Sequence, residues 1–117
     1  KEAFETIRAG VKPSEIFRAA VAGAKKAGLP NYNGVFCGHT IGIEARELPY
    51  TLSEPTPLTD PFLPESSDIP LPAGAVLSVE LPSGKFGEGG VHAEYTVLVT
   101  ETGMEHLGAA KRKHFVV

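Results

Sequence analysis

Cysteine is almost absent from this chain of 117 residues. Cys37 stands alone, so no intrachain disulfide can form, and a reducing, cytoplasmic setting is expected. No apolar run approaches the roughly 20 residues of a membrane-spanning helix, and no secretory leader pattern is legible. Charge of one sign is also lacking. The formal net charge is -3, which gives no footing for a nucleic-acid partner, and the single basic cluster, Lys111-Arg112-Lys113, reads as solvated surface. Aspartate is scarce, with Asp60 and Asp68 alone. Methionine occurs once, at Met104, while the chain opens on Lys1. Further sequence upstream is therefore expected.

What is present suits one domain with one core over residues 1–117. Lys1 to Arg8 reads as the last turns of a helix with Phe4 and Ile7 on one face, closed by Ala9-Gly10. Pro13-Ser14-Glu15 opens a second helix, with Ser14 able to cap it. Ile16, Phe17, Ala20, Val21 and Ala24 recur at helical spacing. Lys25, Lys26 and Gly28 close it. Ile41 and Ile43 alternate with Gly42 and Glu44, which predicts a strand through that segment. From Pro49 to Pro72 the chain carries seven of its ten prolines. That density excludes a helix interior or a central strand, so residues 49–72 are expected to form an extended loop, either a flap that shapes a site or a surface excursion. Two clear strands follow, Ala75–Leu81 and Val91–Thr100, separated by a glycine-rich turn. A short last strand begins at Met104. The order predicts an α+β fold.

The chemistry concentrates in three places. Gly38-His39-Thr40-Ile41-Gly42-Ile43-Glu44-Ala45-Arg46-Glu47 holds one histidine among small residues. Glu80 ends the first clear strand, and its alternation places Val76, Ser78 and Glu80 on one face. Glu94 lies on the next strand, sharing a face with His92 and Thr96. If the strands pair, Glu80 and Glu94 point to the same side. A glutamate on the core side of an apolar strand is costly unless it is paired or holds a cation. One imidazole and two carboxylates suit a hydrolytic divalent metal. Taken singly, each residue has a plainer reading: His39 as a hydrogen-bonding turn residue, the glutamates as solvent-facing. Cys37 reads as a small packed residue rather than a nucleophile, and His106 and His114 carry no functional argument.

GHTIGIEARELPY, LPAGAVLSVELPSG and GGVHAEYTVLVTETG together resemble the C-terminal half of the creatinase/prolidase/methionine aminopeptidase family, the pita-bread metallopeptidases. The opening helices resemble the segment that precedes that family's histidine motif, so the likeness covers nearly the whole chain. It implies the C-terminal half of a pita-bread domain, a curved antiparallel sheet with helices on one face. It also implies two divalent ions (manganese, cobalt, zinc or iron) held by two aspartates, one histidine and two glutamates. His39 matches the histidine, Glu80 the first glutamate, and Glu94 the last, which bridges both ions. The implied reaction is hydrolysis of a peptide or small amide by a metal-bridging water or hydroxide, with Glu80 shuttling a proton and His39 supporting the same centre.

Three departures shape the expectation. The aspartate pair, which precedes the histidine in the family, is missing and is expected upstream of Lys1, so this chain alone should bind metal weakly and hydrolyse little. A second histidine seven residues after the first is replaced by Arg46. An arginine two residues before the last glutamate is replaced by His92. These two exchanged side chains are expected to line the substrate side. They leave the substrate open between a proline-containing peptide, another peptide and a creatine-like amide. The alternative is a non-catalytic pita-bread domain that binds a peptide or protein. Exposed sheet edges would permit a homodimer.

Overall fold

The chain's longest periodic segment forms its longest helix. In the computed structural model, which describes residues 1–32, 34–55 and 68–108, a short helix α1 (Glu2–Thr6) is followed by α2 (Pro13–Lys26). The expected apolar face of α2 is the one that is buried: Ile16, Phe17, Ala20 and Ala24 are all in the core. The helix stops where Gly28 takes φ +102°. α1 ends two residues earlier than the sequence suggests, because Ile7 is already extended, with φ -67° and ψ 119°, and is buried in the core.

The start of α2 departs from expectation. Ser14 lies inside the helix rather than at its cap. Its backbone N–H donates to Asp68 Oδ1 at 3.2 Å, and the Lys12 N–H donates to Glu15 Oε1 at 3.1 Å. Two carboxylates thus satisfy N–H groups at this end, where the helix dipole favours negative charge. Lys12 Nζ approaches Asp68 Oδ2 at 3.5 Å. Burial alone would raise the Asp68 carboxyl, but hydrogen bonds from Ser14 and the Lys12 cation outweigh it and hold Asp68 below the usual aspartate range.

The strands are β1 (Gly38–Thr40), β2 (Glu47–Thr51), β3 (Val76–Glu80), β4 (Ser83–Lys85), β5 (Gly89–Val91), β6 (Glu94–Val99) and β7 (Met104–His106). Five form one sheet in the order β2-β1-β3-β6-β7, and β4 and β5 form a separate hairpin. All pairs are antiparallel. Among the described residues no helix is long and apolar enough to cross a membrane.

Three sequence expectations change here. The strand predicted through Ile41–Glu44 is a turn, with Ile43 fully exposed. The Glu47 carboxylate draws it tight: Oε1 accepts from the Ile43 N–H at 2.7 Å and the Glu44 N–H at 3.3 Å. Gly42 lets that carboxylate approach, since a Cβ there would lie 2.4 Å from Glu47 Oε2. The expected loop begins later than Pro49, because residues 49–51 belong to β2. This strand is the edge of the sheet, the position where proline is tolerated. The rest of the proline-rich loop, 56–67 with Asp60, lies outside the described residues, as do Lys111-Arg112-Lys113 and His114. The strand expected from Val91 to Thr100 is broken at His92-Ala93. Gly89–Val91 pairs with Ser83–Lys85, with Ser83 opposite Val91, so the expected glycine-rich turn is mostly a hairpin.

The core lies between the helices and one face of the sheet. Leu77, Val79, Val97 and Val99 meet Ile7, Ile16, Phe17 and Ala20. A fully buried Ile or Leu contributes about 1.5–3 kcal/mol, so this face dominates stability. Phe4, Tyr95 and His106 close one margin as a ring cluster, with centroids 5.2 to 6.0 Å apart. The fold is α+β with its helices on one face, as expected. The opposite face is left to other chemistry.

Candidate metal centre

Cross-strand register assembles this centre. His39 lies opposite Ser78, Ser78 opposite Thr96, and Glu80 opposite Glu94. Because side chains alternate across a strand, His39, Ser78, Glu80, Glu94 and Thr96 share the face turned away from the core. Glu80 and Glu94, 14 residues apart in sequence, are directly paired residues, as the sequence reading required.

Gly38 sets His39 in place. It adopts φ +151°, and a Cβ there would lie 2.2 Å from the Ser78 carbonyl oxygen and 2.9 Å from Leu52 Cδ1. Only glycine lets β1 approach β3 this closely. The β1–β2 register shifts between His39 and Thr40, an irregularity of the kind that re-aims side chains beside sites. His39 is 7% exposed. Its Nδ1 lies 3.1 Å from the Thr40 carbonyl oxygen. A carbonyl can only accept, so Nδ1 carries the proton of that bond and Nε2 is turned to the site.

Glu80 is the hub. It is 6% exposed, a level at which a carboxylate needs partners. Three bases converge on it. His39 Nε2 is 3.3 Å from Oε1, Arg46 Nη2 is 4.0 Å from Oε1, and His92 Nε2 contacts Oε2. Arg46 is half-exposed and is also held over the Phe36 ring, 5.1 Å from its centroid. Glu94 accepts a hydrogen bond from Ser78 Oγ. Glu80, His92 and Glu94 each offer one ligand atom, and the three atoms lie within 4.8 Å of one another. The donor set, two carboxylates and an imidazole around a buried negative charge, fits a divalent cation. Cys37 adds no thiolate, because burial, with the Glu80 carboxylate beside it, pushes its thiol up to about 12.

All five residues singled out from the sequence therefore come together: His39, Arg46, Glu80, His92 and Glu94. The Glu80–His92–Glu94 grouping contains His92, which the sequence placed on the substrate side. His39 reaches Glu80 from the other oxygen. Sequence reasoning missed Ser78, Phe36 and Asp68. Ser78 had a usable signal, as a hydroxyl two residues before Glu80 in an apolar run and on the same strand face; the structure buries it fully. Phe36 and Asp68 had none, since their contacts depend on tertiary placement.

The sequence model of metallopeptidase family M24 matches residues 1–101. Among solved structures, the chain is similar to an X-Pro aminopeptidase from Thermotoga maritima, with 29% identity and a TM-score of 0.78 over 99% of this chain and 30% of that one. It is similar to a prolidase from Pyrococcus furiosus, with 28% identity and a TM-score of 0.75 over 95% of this chain and 29% of that one. It is also similar to an Xaa-Pro dipeptidase from Bacillus anthracis, with 25% identity and a TM-score of 0.77 over 99% of this chain and 29% of that one. The chain thus spans about 30% of the length of these proteins. No curated protein matches it in sequence.

Proposed function

The chain belongs to metallopeptidase family M24, and we propose that the intact protein is a metal-dependent peptidase acting on peptides of the Xaa-Pro type, with this chain supplying one side of a dinuclear centre. The observation that carries the proposal is the buried Glu80 carboxylate, met by His39, Arg46 and His92 and paired in register with Glu94. The Xaa-Pro preference is supported by the chain's similarity to an X-Pro aminopeptidase and an Xaa-Pro dipeptidase.

His39, Glu80 and Glu94 would hold the metal. Divalent ions, when bound, supply Lewis acidity toward the scissile carbonyl and an activated water as nucleophile. The chain's own groups do the rest. Glu80, inside the site and flanked by bases, takes a proton from the attacking water and returns it to the leaving amine. The His39 imidazole keeps its Nδ1 proton on the Thr40 carbonyl, which fixes the ring for work at Nε2. Ser78 orients Glu94. Arg46, half-exposed beside Glu80, presents a fixed cation to a carbonyl or carboxylate of the substrate. The single buried cysteine suits a reducing compartment, and we place the protein in the cytoplasm.

A second reading is a non-catalytic domain that binds a peptide or protein: among the described residues Asp68 is the one aspartate, and it is committed to the start of α2. Metal content and dipeptide hydrolysis of the intact protein separate the two readings. Hydrolysis with bound metal, lowered about 10²-fold or more by Glu80→Gln, is the expected result. A folded intact protein that takes up no metal and cleaves no dipeptide would leave the binding-domain reading standing.

A further inference from the structure

We infer that Phe36 is a positioning residue. Its ring is the platform that holds the Arg46 guanidinium at the mouth of the centre, and through Arg46 it sets how tightly substrate is held. The inference rests on the peptidase reading for the role of Arg46 as a cation that meets the substrate. It goes beyond that reading in saying what fixes this cation, and which residue outside the centre does so.

Phe36 has no part in the core. It is half-buried and stands outside the apolar cluster that joins helices and sheet, whereas its neighbour Cys37 is fully buried within that cluster. Val35, on its other side, is exposed. The backbone at Cys37 is tied down in both directions. Its N–H donates to the Leu52 carbonyl at 2.8 Å, and its carbonyl accepts from the Glu80 N–H at 2.9 Å. Phe36 is thus set one residue away from a backbone bond to Glu80 itself. The face of its ring is taken by the Arg46 guanidinium, 5.1 Å from the centroid, a cation–π contact.

Arg46 is held at its backbone end as well. The Glu47 carboxylate accepts from the Ile43 and Glu44 N–H groups and draws tight the turn that carries Arg46. Among the described residues the guanidinium makes no hydrogen bond, and its approach to Glu80 Oε1, at 4.0 Å, is too long to be one. Stacking uses the flat face of the guanidinium. It leaves the N–H edge, where all five donors lie, open to a carbonyl or carboxylate. A half-exposed arginine without a platform would spread over many rotamers, and ordering it on binding would weaken the hold on substrate. Phe36 does that ordering in advance. Glu80 rather than Arg46 handles the proton in the proposed reaction, so the effect falls on binding and not on the chemical step.

Two measurements test this. In the 117-residue chain, the Arg46 Nε–H resonance, assigned by its loss in Arg46→Gln, should be displaced upfield by the ring current of Phe36. The displacement should persist in Phe36→Tyr, which keeps an aromatic face. It should disappear in Phe36→Leu, which keeps an apolar side chain without one. In the intact protein supplied with Mn²⁺, Phe36→Leu should raise KM for alanylproline about two- to fivefold, the worth of a half-exposed cation–π contact, with kcat within about twofold of the unaltered protein. Phe36→Tyr should restore KM. In an Arg46→Gln background, Phe36→Leu should change KM no further. Circular dichroism checks that each variant folds. An undisplaced resonance in the unaltered chain, a displacement that survives Phe36→Leu, or a KM effect that persists without Arg46 each overturns the inference. An intact protein that cleaves no dipeptide defeats the peptidase reading instead, and the resonance then still decides whether Phe36 places Arg46.

Discussion

Replacing Gly38 with alanine should damage fold and site together. Gly38 sits at φ +151°, and the added Cβ would lie 2.2 Å from the Ser78 carbonyl oxygen, 2.9 Å from Leu52 Cδ1 and 3.2 Å from the Val79 Cα. Two of those atoms are backbone, so relief requires β1 to move away from β3. That movement strains the hydrogen bonds around Gly38, including Leu52 N–H to the Gly38 carbonyl at 2.8 Å. A strained backbone position costs about 1–3 kcal/mol, and a weakened hydrogen bond costs about 1 kcal/mol. A loss of about 3 kcal/mol is expected, which lowers Tm by about 12 °C in a domain of this size. Gly74→Ala is the control. Gly74 also has positive φ, at +88°, but nothing lies within 4 Å of its added Cβ. It should cost only about 1–2 kcal/mol from the backbone conformation. Thermal melts followed by circular dichroism measure both. If Gly38→Ala melts within about 2 °C of Gly74→Ala, a difference of about half a kcal/mol, the close approach of β1 to β3 is not what glycine provides, and the placement of His39 argued from it fails.

Asp68→Asn should weaken the chain by about 0.5–1 kcal/mol at pH 7, the size of a helix-terminus contact. Because the folded-state pKa of Asp68 is lowered, its contribution is present above the ordinary aspartate range and is lost as pH falls through the folded value. The gap in urea midpoint between Asp68→Asn and the unaltered chain should therefore hold from pH 7 down to about pH 4, where an unshifted aspartate begins to protonate, and close only at lower pH. A constant gap would refute the electrostatic account. Cys37, buried and with its thiol pushed up to about 12, should resist a thiol-specific reagent at pH 8 in the native chain and react at once in urea, and rapid native labelling would contradict its burial. Glu80→Gln should leave thermal stability unchanged or raise it by about 1 kcal/mol, and a fall of more than about 3 kcal/mol would make Glu80 a structural hub instead.

The helical face of α2 was legible because Ile16, Phe17, Ala20 and Ala24 repeat at helical period with nothing else competing. β3 and β6 were legible because β-branched residues alternate with polar ones on a sheet with one covered face. The failures have physical causes. Ile41 and Ile43 alternate as a strand would, yet the Glu47 carboxylate captures the Ile43 and Glu44 amides and makes a turn. A local side-chain bond outcompeted the ladder. Ser14 was a sound cap by type, but the helix starts one residue earlier, at Pro13, and the N–H of Ser14 itself is taken by Asp68, 54 residues away. Val91 read as the start of one strand running to Thr100, with Gly89 and Gly90 in the turn before it, yet Gly89–Val91 pairs with Ser83–Lys85. The sequence names the acids and bases of the centre. It does not say that three bases on separate stretches of chain meet one carboxylate, because that depends on the β1–β3–β6 register and on a turn that periodicity misread.

Glu80 makes little sense as a stabilising residue. Its Oε1 faces His39 Nε2 across 3.3 Å, while the Nδ1 proton of that ring is engaged with the Thr40 carbonyl. In the neutral tautomer two lone pairs therefore confront each other in a buried site, and the contact becomes favourable only when a proton or a cation stands near it. A glutamine would donate to Nε2 and accept from His92, meeting the same partners without burying a charge. Arg46 and His92 are half-exposed, so water can satisfy them if the carboxylate is gone. Removing one member of a buried ion pair is usually harmful because the other is left unpaired, but here only His39 is enclosed, and neutral histidine needs no counter-charge. The opposite face of the same sheet, packed with Leu77, Val79, Val97 and Val99, carries the stability. The charge on Glu80 is thus retained at a position where an isosteric amide would suit the fold as well or better. That pattern is expected of a group kept for a cation or a proton rather than for the fold.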